Sequence, residues 1–396
     1  MPHARPRYLA AEISRALSHS PIVGVLGQRQ VGKTTLLESA GAEYTTFDRA
    51  AVLAQAGADA ERFLQGRAAP FAIDEAQLCP PLFPALKEHV RINKRKGQFL
   101  LSGSVRFTSK ADIRESLTGR IASLELLPFT IAEAAQRPLP GVCERLLKVR
   151  SEKDLAFLST DRATPAAFSR YLAQGGLPGI CFFREAQVRH EMFAAHLDTL
   201  LNRDIRQVYP TTLLQGSLRA LLEHLARHQG RPFELADAAR ASQISSVTLK
   251  RVLYALEALF LIRMVPALEQ GKHTVYLEDQ GMASWLAGAN RFSADDIVRG
   301  LYANLRQEIH YRPELGGRIS HWRTRHDAEM PLVIDLPRGR LGFLATTLEE
   351  PAPKSLGSAA AFLRRYPVAR VVLAYAGRKI QFKGPSMLWI PYWLLA

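Results

Sequence analysis

Eight residues, Gly27-Gln28-Arg29-Gln30-Val31-Gly32-Lys33-Thr34, constrain this 396-residue chain more than any other segment. They follow a short apolar run, Ile22 to Leu26, and precede a run with helical character, Thr35 to Ala40. A buried strand must therefore turn sharply into a helix, and the turn carries the GxxxxGK[ST] spacing of a phosphate-binding loop. Gly27 and Gly32 let successive backbone N–H groups converge on one anion, while the following helix adds the positive end of its dipole. The whole run, with Gln28, Arg29, Gln30, Val31 and Thr35, is the expected nucleotide-binding set. Lys33 is expected to bridge the β- and γ-phosphates and Thr34 to place its hydroxyl on Mg²⁺, so ATP and Mg²⁺ are the expected ligands.

Phosphate binding alone is not hydrolysis, which needs further groups. Phe71-Ala72-Ile73 reads as a buried strand ending in Asp74-Glu75. Asp74 is expected to hold Mg²⁺ through water, and Glu75 to orient and deprotonate an attacking water. A third strand, Gln98-Phe99-Leu100-Leu101, ends in Ser102-Gly103-Ser104. After a helical segment, Ala111 to Leu117, comes Thr118-Gly119-Arg120. Arg120 has three readings: a surface salt bridge, a cation reaching the nucleotide in cis, or one acting across a subunit boundary in a homo-oligomer. Such a cation is worth ~10³ to 10⁵ in rate.

The net charge of +15 invites a nucleic-acid partner, but the excess is spread along the chain. Its densest run, Arg91, Lys94, Arg95 and Lys96, lies between a helix and a strand and reads as a solvated turn. No segment is both long and apolar enough to cross a bilayer. Pro2 to Leu17 lacks the apolar block of a signal peptide, so a cytoplasmic location is expected. Cys79, Cys143 and Cys181 are far apart without CxxC spacing, which fits a reducing compartment and small buried side chains.

Further along, residues 136 to 205 read as helices with loops. Arg203 and Asp204, at the end of the amphipathic run Phe193 to Leu201, read as a helix-end salt bridge. From Ser217 the pattern is three helices and two short strands, Ile262 to Val265 and Thr274 to Leu277. Leu249, Val252, Leu253, Leu256, Leu259 and Phe260 recur at helical spacing, and Ser245 and Ser246 offer a helix start. This is a winged-helix pattern, in which Lys250 and Arg251 would face a groove of duplex DNA; a protein partner is the other reading. Residues 299 to 396 order their helices and strands much like a restriction-endonuclease-like fold. Trp389, Pro391 and Trp393 read as core or edge aromatics.

The strings Gly27 to Thr35, Phe71 to Gln77, Leu101 to Ser104, Glu115 to Arg120 and Leu127-Pro128-Phe129 occur in this order. Together they resemble the prokaryotic AAA+ ATPases (AAA_14) whose ATPase domain precedes a domain labelled DUF4143. The resemblance continues through Gly175-Gly176-Leu177-Pro178, Arg203-Asp204-Ile205, Val275 to Gly281 and His321 to Thr324. It implies that Ser102 or Ser104, at a strand tip, contacts the γ-phosphate or the water. It also implies a Gly-Gly-aromatic-Pro element at Gly175 to Pro178, here with Leu177 for the aromatic. In the family's nuclease-like strands, an Asp and a Glu-x-Lys hold a metal. Here Pro331, Leu344 and Thr346 stand at those places, and Ala303 or Asn304 at a helical Glu. Asp327, Glu329 and Asp335 lie nearby without the required spacing, so nuclease activity is not expected.

The expected fold is α/β: a P-loop NTPase (AAA+-like) parallel-sheet domain over 1–135, a helical lid or linker over 136–205, a winged-helix-like segment over 206–280 and a degenerate nuclease-like α/β domain over 281–396. The expected function is Mg²⁺-dependent ATP hydrolysis that drives or gates a change in C-terminal partner-binding or nucleic-acid-binding domains. The alternative is a nucleotide-gated DNA-binding or scaffold module with slow turnover.

Overall fold

The computed structural model describes residues 5–41, 43–107, 117–158, 164–288 and 292–396. Strand β1 (Ile22–Leu26) is buried along its whole length. A strand apolar on both faces belongs inside a parallel sheet covered on both sides. Four parallel strands complete that sheet: β2 (Glu43–Thr46), β3 (Phe71–Asp74), β4 (Phe99–Gly103) and β5 (Ile121–Glu125), in the order β2-β3-β4-β1-β5. Strand β4 therefore lies between β1 and β3, with Leu101 opposite Gly24 on one side and Ile73 on the other. This register brings the C-terminal ends of β1, β3 and β4 to one edge.

A long helical stretch, Ala186–Thr199, passes through a π-helical turn at Leu200–Asp204 into Ile205–Val208. Three helices follow, Gln215–Arg227, Leu235–Ser242 and Ser246–Ala258, then an antiparallel hairpin of β6 (Ile262–Val265) and β7 (Thr274–Leu277). Ser245 caps the third helix by accepting from the Thr248 N–H at 3.3 Å. Leu249, Val252, Leu253, Leu256, Leu259 and Phe260 are buried. One apolar cluster runs from Val23, Val25 and Leu100 in the sheet through Leu197, Leu201 and Leu221 to Leu249 and Leu277. The first sheet, the long helix and the three-helix segment thus share a core.

A second sheet, of order β12-β13-β11-β10-β9-β8, is built from β8 (Arg318–Arg323), β9 (Glu329–Leu336), β10 (Gly339–Ala345), β11 (Arg370–Tyr375), β12 (Gln381–Phe382) and β13 (Met387–Pro391). Alternation along β11 sends Val372 and Ala374 toward the helix Ala294–His310, and Val371, Leu373 and Tyr375 toward the helix Pro353–Arg365. The sheet is held between these two helices. Strand β13 pairs in parallel with β11, so Trp389 belongs to an inner strand.

Candidate nucleotide site

The glycine-rich run is a tight strand-to-helix turn. Gly32 has φ +100°, and a Cβ on Gly27 would lie 2.5 Å from the Leu126 carbonyl oxygen. Gln30, at φ +66°, is the one other residue of the loop in the left-handed region. Lys33 opens the helix Lys33–Ala40 and is buried; its ammonium donates to the carbonyls of Gly27 (3.0 Å) and Gln28 (3.1 Å). Three N–H bonds are available, so one remains for an anion in the loop. Burial pushes the Lys33 pKa down, against the pull of Glu75 and Asp74, and an anionic ligand would offset that desolvation. Thr34 and Thr35 are exposed on the first turn.

The strand ends complete the site. Thr34 Oγ1 donates to Asp74 Oδ2 at 2.6 Å, joining the loop to the tip of β3. Tyr44, from β2, donates to the same oxygen at 3.2 Å, a contact with no signal in the sequence. Ser102, at the tip of β4, donates to Asp74 Oδ1 and accepts from the Glu75 N–H at 3.0 Å. Glu75 sits in the left-handed region (φ +54°), an arrangement that costs on the order of 1 to 3 kcal/mol and concentrates at functional sites. Its carboxylate accepts from Gln77 and from Ser104 Oγ, the latter at 3.3 Å. Lys33, Thr34, Asp74, Glu75, Ser102 and Ser104 therefore meet at one edge, in the donor set that a hydrated divalent cation and a phosphate chain require.

Arg120 does not join them. It stands at the start of β5, where Ile121 pairs with Ile22, while the loop follows the opposite end, where Glu125 pairs with Leu26. Five strand residues separate the two ends, about 16 Å at ~3.3 Å per residue. The expected reach in cis is corrected by this register. The guanidinium donates to the Thr118 carbonyl at 3.2 Å. Of the string Glu115 to Arg120, and of the helix expected from Ala111, residues 111–116 lie outside the described residues.

A roof over the loop comes from residues that sequence reasoning passed by or read otherwise. The Arg7 guanidinium donates to the Val31 carbonyl at 2.7 Å, to the Leu127 carbonyl at 2.5 Å and to Glu133 Oε1 at 3.0 Å, all buried. Pro178 would lie 3.5 Å from a Cβ on Gly32. His196 Nε2 is 3.4 Å from Gln28 Nε2, and burial, helped by Arg29, holds its pKa at about 4, so the ring is neutral. Asp204 pairs with Arg203 at 3.0 Å, as expected, but it lies within a continuing helical stretch and also accepts from Arg29 Nε at 2.9 Å. Paired contacts from distant segments leave no local periodicity to detect.

Parts of three of the remaining strings meet at one joint. The Phe129 N–H donates to the Gly176 carbonyl at 2.8 Å, and a Cβ on Gly176 would come within 2.1 Å of Phe129 backbone. Asp279 accepts from the Gly176 N–H at 2.6 Å, while Gly281 packs against Gly175 so closely that a Cβ would lie 2.4 Å from its nitrogen. Leu127-Pro128-Phe129, Gly175 to Pro178 and Asp279 to Gly281 are thus parts of one backbone-to-backbone contact.

In the second sheet, Pro331 lies on β9 and Leu344, buried, on β10; the Thr346 hydroxyl accepts from the Leu348 N–H at 3.2 Å. Ala303 is packed into the core, and Asn304 donates to the Gly300 carbonyl at 2.8 Å. Asp327 and Asp335 pair with Arg323 and Arg340, and Glu329 begins β9. No group of three His, Cys, Asp or Glu side chains among the described residues could hold a metal ion. On the helix Ser246–Ala258, Lys250 and Arg251 are exposed, as are Val247 (70%) and Tyr254 (59%).

Residues 19–135 match a family model described as an AAA domain. Residues 165–293 match a second model, a domain of unknown function, DUF8612, in place of the DUF4143 that the resemblance implied. Uncharacterized proteins Mb2031c of Mycobacterium bovis and Rv2008c of Mycobacterium tuberculosis are each 28% identical over 94% of this chain and 80% of their own length. Among solved structures, a STAND (Signal Transduction ATPase with Numerous Domains) protein with a tetratricopeptide repeat sensor, PH0952 of Pyrococcus horikoshii, is 14% identical over 80% of this chain, with TM-score 0.26; the chain spans about half of its length (50%). AMPPCP-bound DnaA of Aquifex aeolicus is 14% identical over 62% of this chain and 86% of its own, with TM-score 0.25. The family match makes the first unit an AAA-type, P-loop ATPase-like domain. No helix among the described residues is long and apolar enough to cross a membrane.

Proposed function

We propose that this chain is a Mg²⁺-dependent ATPase whose turnover gates the helical and C-terminal segments. The observation that carries the reading is the 2.6 Å contact between Thr34 and Asp74, made where Ser102 also holds the tip of β3. Thr34 and Asp74 would hold Mg²⁺, which supplies charge neutralisation of the phosphate oxygens. Lys33 turns its remaining N–H into the loop, and the Ser104 hydroxyl and Gln77 amide orient the Glu75 carboxylate. Glu75 takes the proton of a water as its oxygen bonds to the γ-phosphorus and the bond to the β–γ bridging oxygen breaks, leaving ADP and inorganic phosphate. The nuclease-like sheet is read as degenerate because its metal-holding places carry Pro331, Leu344 and Thr346. Arg120, at the far end of β5, retains two readings, a surface cation or a role across a subunit boundary in a homo-oligomer.

Lys33→Ala is expected to abolish nucleotide binding. Glu75→Gln should bind ATP with wild-type affinity but turn it over 10²-fold or more slowly, the scale of losing one general base. Full turnover by Glu75→Gln in a steady-state phosphate-release assay would sink the assignment of the base.

A second reading, a nucleotide-gated DNA-binding module with slow turnover, is favoured by one observation. Val247, Lys250, Arg251 and Tyr254 share an exposed face of one helix, mixing cations with apolar surface. A protein partner could use the same face.

A further inference from the structure

The third residue of the loop is held in an unusual way. Arg29 Nε donates to Asp204 Oδ2 at 2.9 Å, and the other oxygen of Asp204 accepts from Arg203 Nε at 3.0 Å. The Asp204 side chain is 3% exposed and that of Arg29 24%. Neither Nη1 nor Nη2 of Arg29 has a hydrogen bond among the described residues. A guanidinium is a rigid fork suited to paired carboxylate or phosphate oxygens. With Nε anchored, its two-Nη edge is left for a ligand.

The helix bearing Asp204 is shaped for this contact. In a regular helix, residues eight apart, such as His196 and Asp204, point about 80° away from each other. One extra residue absorbed by a π-helical turn brings them to within about 20°, and Leu200–Asp204 is such a turn. Both then face the loop, His196 on Gln28 and Asp204 on Arg29. His196 Nδ1 and Gln28 Oε1 are buried without a hydrogen-bond partner among the described residues. Arg29 and Asp204 also both lie within electrostatic range of the Lys33 ammonium. Two other arginines are placed elsewhere: Arg7 is held by Glu133 and two carbonyls, and Arg120 is at the opposite end of the sheet.

We propose that Arg29, aimed by Asp204, contacts the terminal phosphate of the bound nucleotide in cis, and that Asp204 is its positioning residue. This rests on the ATPase reading above. Arg29 then gives the site its preference for a triphosphate over a diphosphate and supplies the second cation, beside Lys33, for charge that develops during transfer.

The test measures the affinities of the full chain for Mg²⁺-AMPPNP and Mg²⁺-ADP by calorimetry, together with kcat and KM. For Arg29→Gln, AMPPNP affinity should fall about 10-fold or more and kcat about 10²- to 10³-fold, the scale of one lost charge-stabilising donor, with ADP affinity changed less than about 2-fold. Arg29→Lys, which keeps the charge but loses the fork, should fall between. Asp204→Asn should lower kcat about 10-fold while ADP affinity is retained. A merely structural role for Asp204 would instead weaken both nucleotides together. An unchanged AMPPNP-to-ADP ratio and kcat in Arg29→Gln overturns the proposal. A wild-type chain that binds neither nucleotide overturns the ATPase reading itself, whereas binding without the Arg29 effect overturns only this inference.

Discussion

Ser102 shows how much one hydroxyl can hold in place. It donates to Asp74 and accepts from the backbone of Glu75, so it fixes the two carboxylates relative to each other. Ser102→Ala should leave ATP affinity within a few-fold of wild type. Its kcat should drop about 10- to 100-fold, because the buried Asp74 carboxylate loses a donor, a loss of ~1 to 3 kcal/mol, and the left-handed Glu75 keeps only the 3.2 Å contact of its N–H to Asp74 Oδ1. Steady-state kinetics separates the two effects, and an equal loss in affinity and rate would place Ser102 in nucleotide binding instead. The meeting of these residues was legible: the spacing of Lys33, Thr34, Asp74 and Glu75 already implies strand ends that lie together. Tyr44, Arg7 and His196 were not, because each reaches the site from a segment whose own sequence has no phosphate-loop signal.

At the scale of elements, the helix Ser246–Ala258 buries one face and leaves Lys250 and Arg251 on the other. If that face meets duplex DNA, each phosphate contact adds about −0.9 to the slope of log K against log salt. Lys250→Ala with Arg251→Ala should therefore flatten the slope by about 1.8 in fluorescence-anisotropy titrations at several salt concentrations. A wild-type chain that shows no duplex binding, with or without ATP, would leave a protein partner for this face. The long helix from Ala186 illustrates the limit of periodicity. Its apolar pattern predicts a helix ending near Arg203, yet the π-helical turn lets it continue to Val208 and turns Asp204 inward. Gly176 has a similar lesson: in sequence it is part of a Gly-Gly-x-Pro string, whereas in space its missing side chain lets two backbones touch.

For the molecule as a whole, Glu125 is where the units are tied together. It closes β5 and pairs with Arg263 of the β6–β7 hairpin and with Arg306 of the helix Ala294–His310. Glu278 binds the same two arginines. Beside this cluster lies a cavity of about 210 Å³ lined also by Tyr302 and His310. Burial raises the carboxyl pKa, but Arg306 and Arg263 outweigh it and hold Glu125 at about 2. A folded pKa below the usual 4.5 means stability that is fully present above that value and is lost as pH falls toward 2. Removing one partner of a buried pair costs about 3 to 5 kcal/mol. Glu125→Gln should thus melt well below wild type at pH 7, with the gap narrowing as pH falls from 4.5 to 2, read by thermal denaturation. A gap that is constant with pH would show that Glu125 acts by shape rather than charge.

Local rules determined a good deal on their own. The glycines and lysine of the loop, the carboxylates ending an apolar strand and the hairpin after three helices each depend on neighbours within a few residues, and those dependencies are written in spacing. What the tertiary structure alone decided is which ends meet. The insertion of β4 between β1 and β3 gathers Lys33, Thr34, Asp74, Glu75, Ser102 and Ser104, and the register of β5 sends Arg120 to the far edge. The long helix brings Asp204 and His196 over the loop from more than 160 residues away. Charges so distant in the chain find each other because burial makes an unpaired ion costly, and that penalty acts on proximity in space rather than on order in sequence.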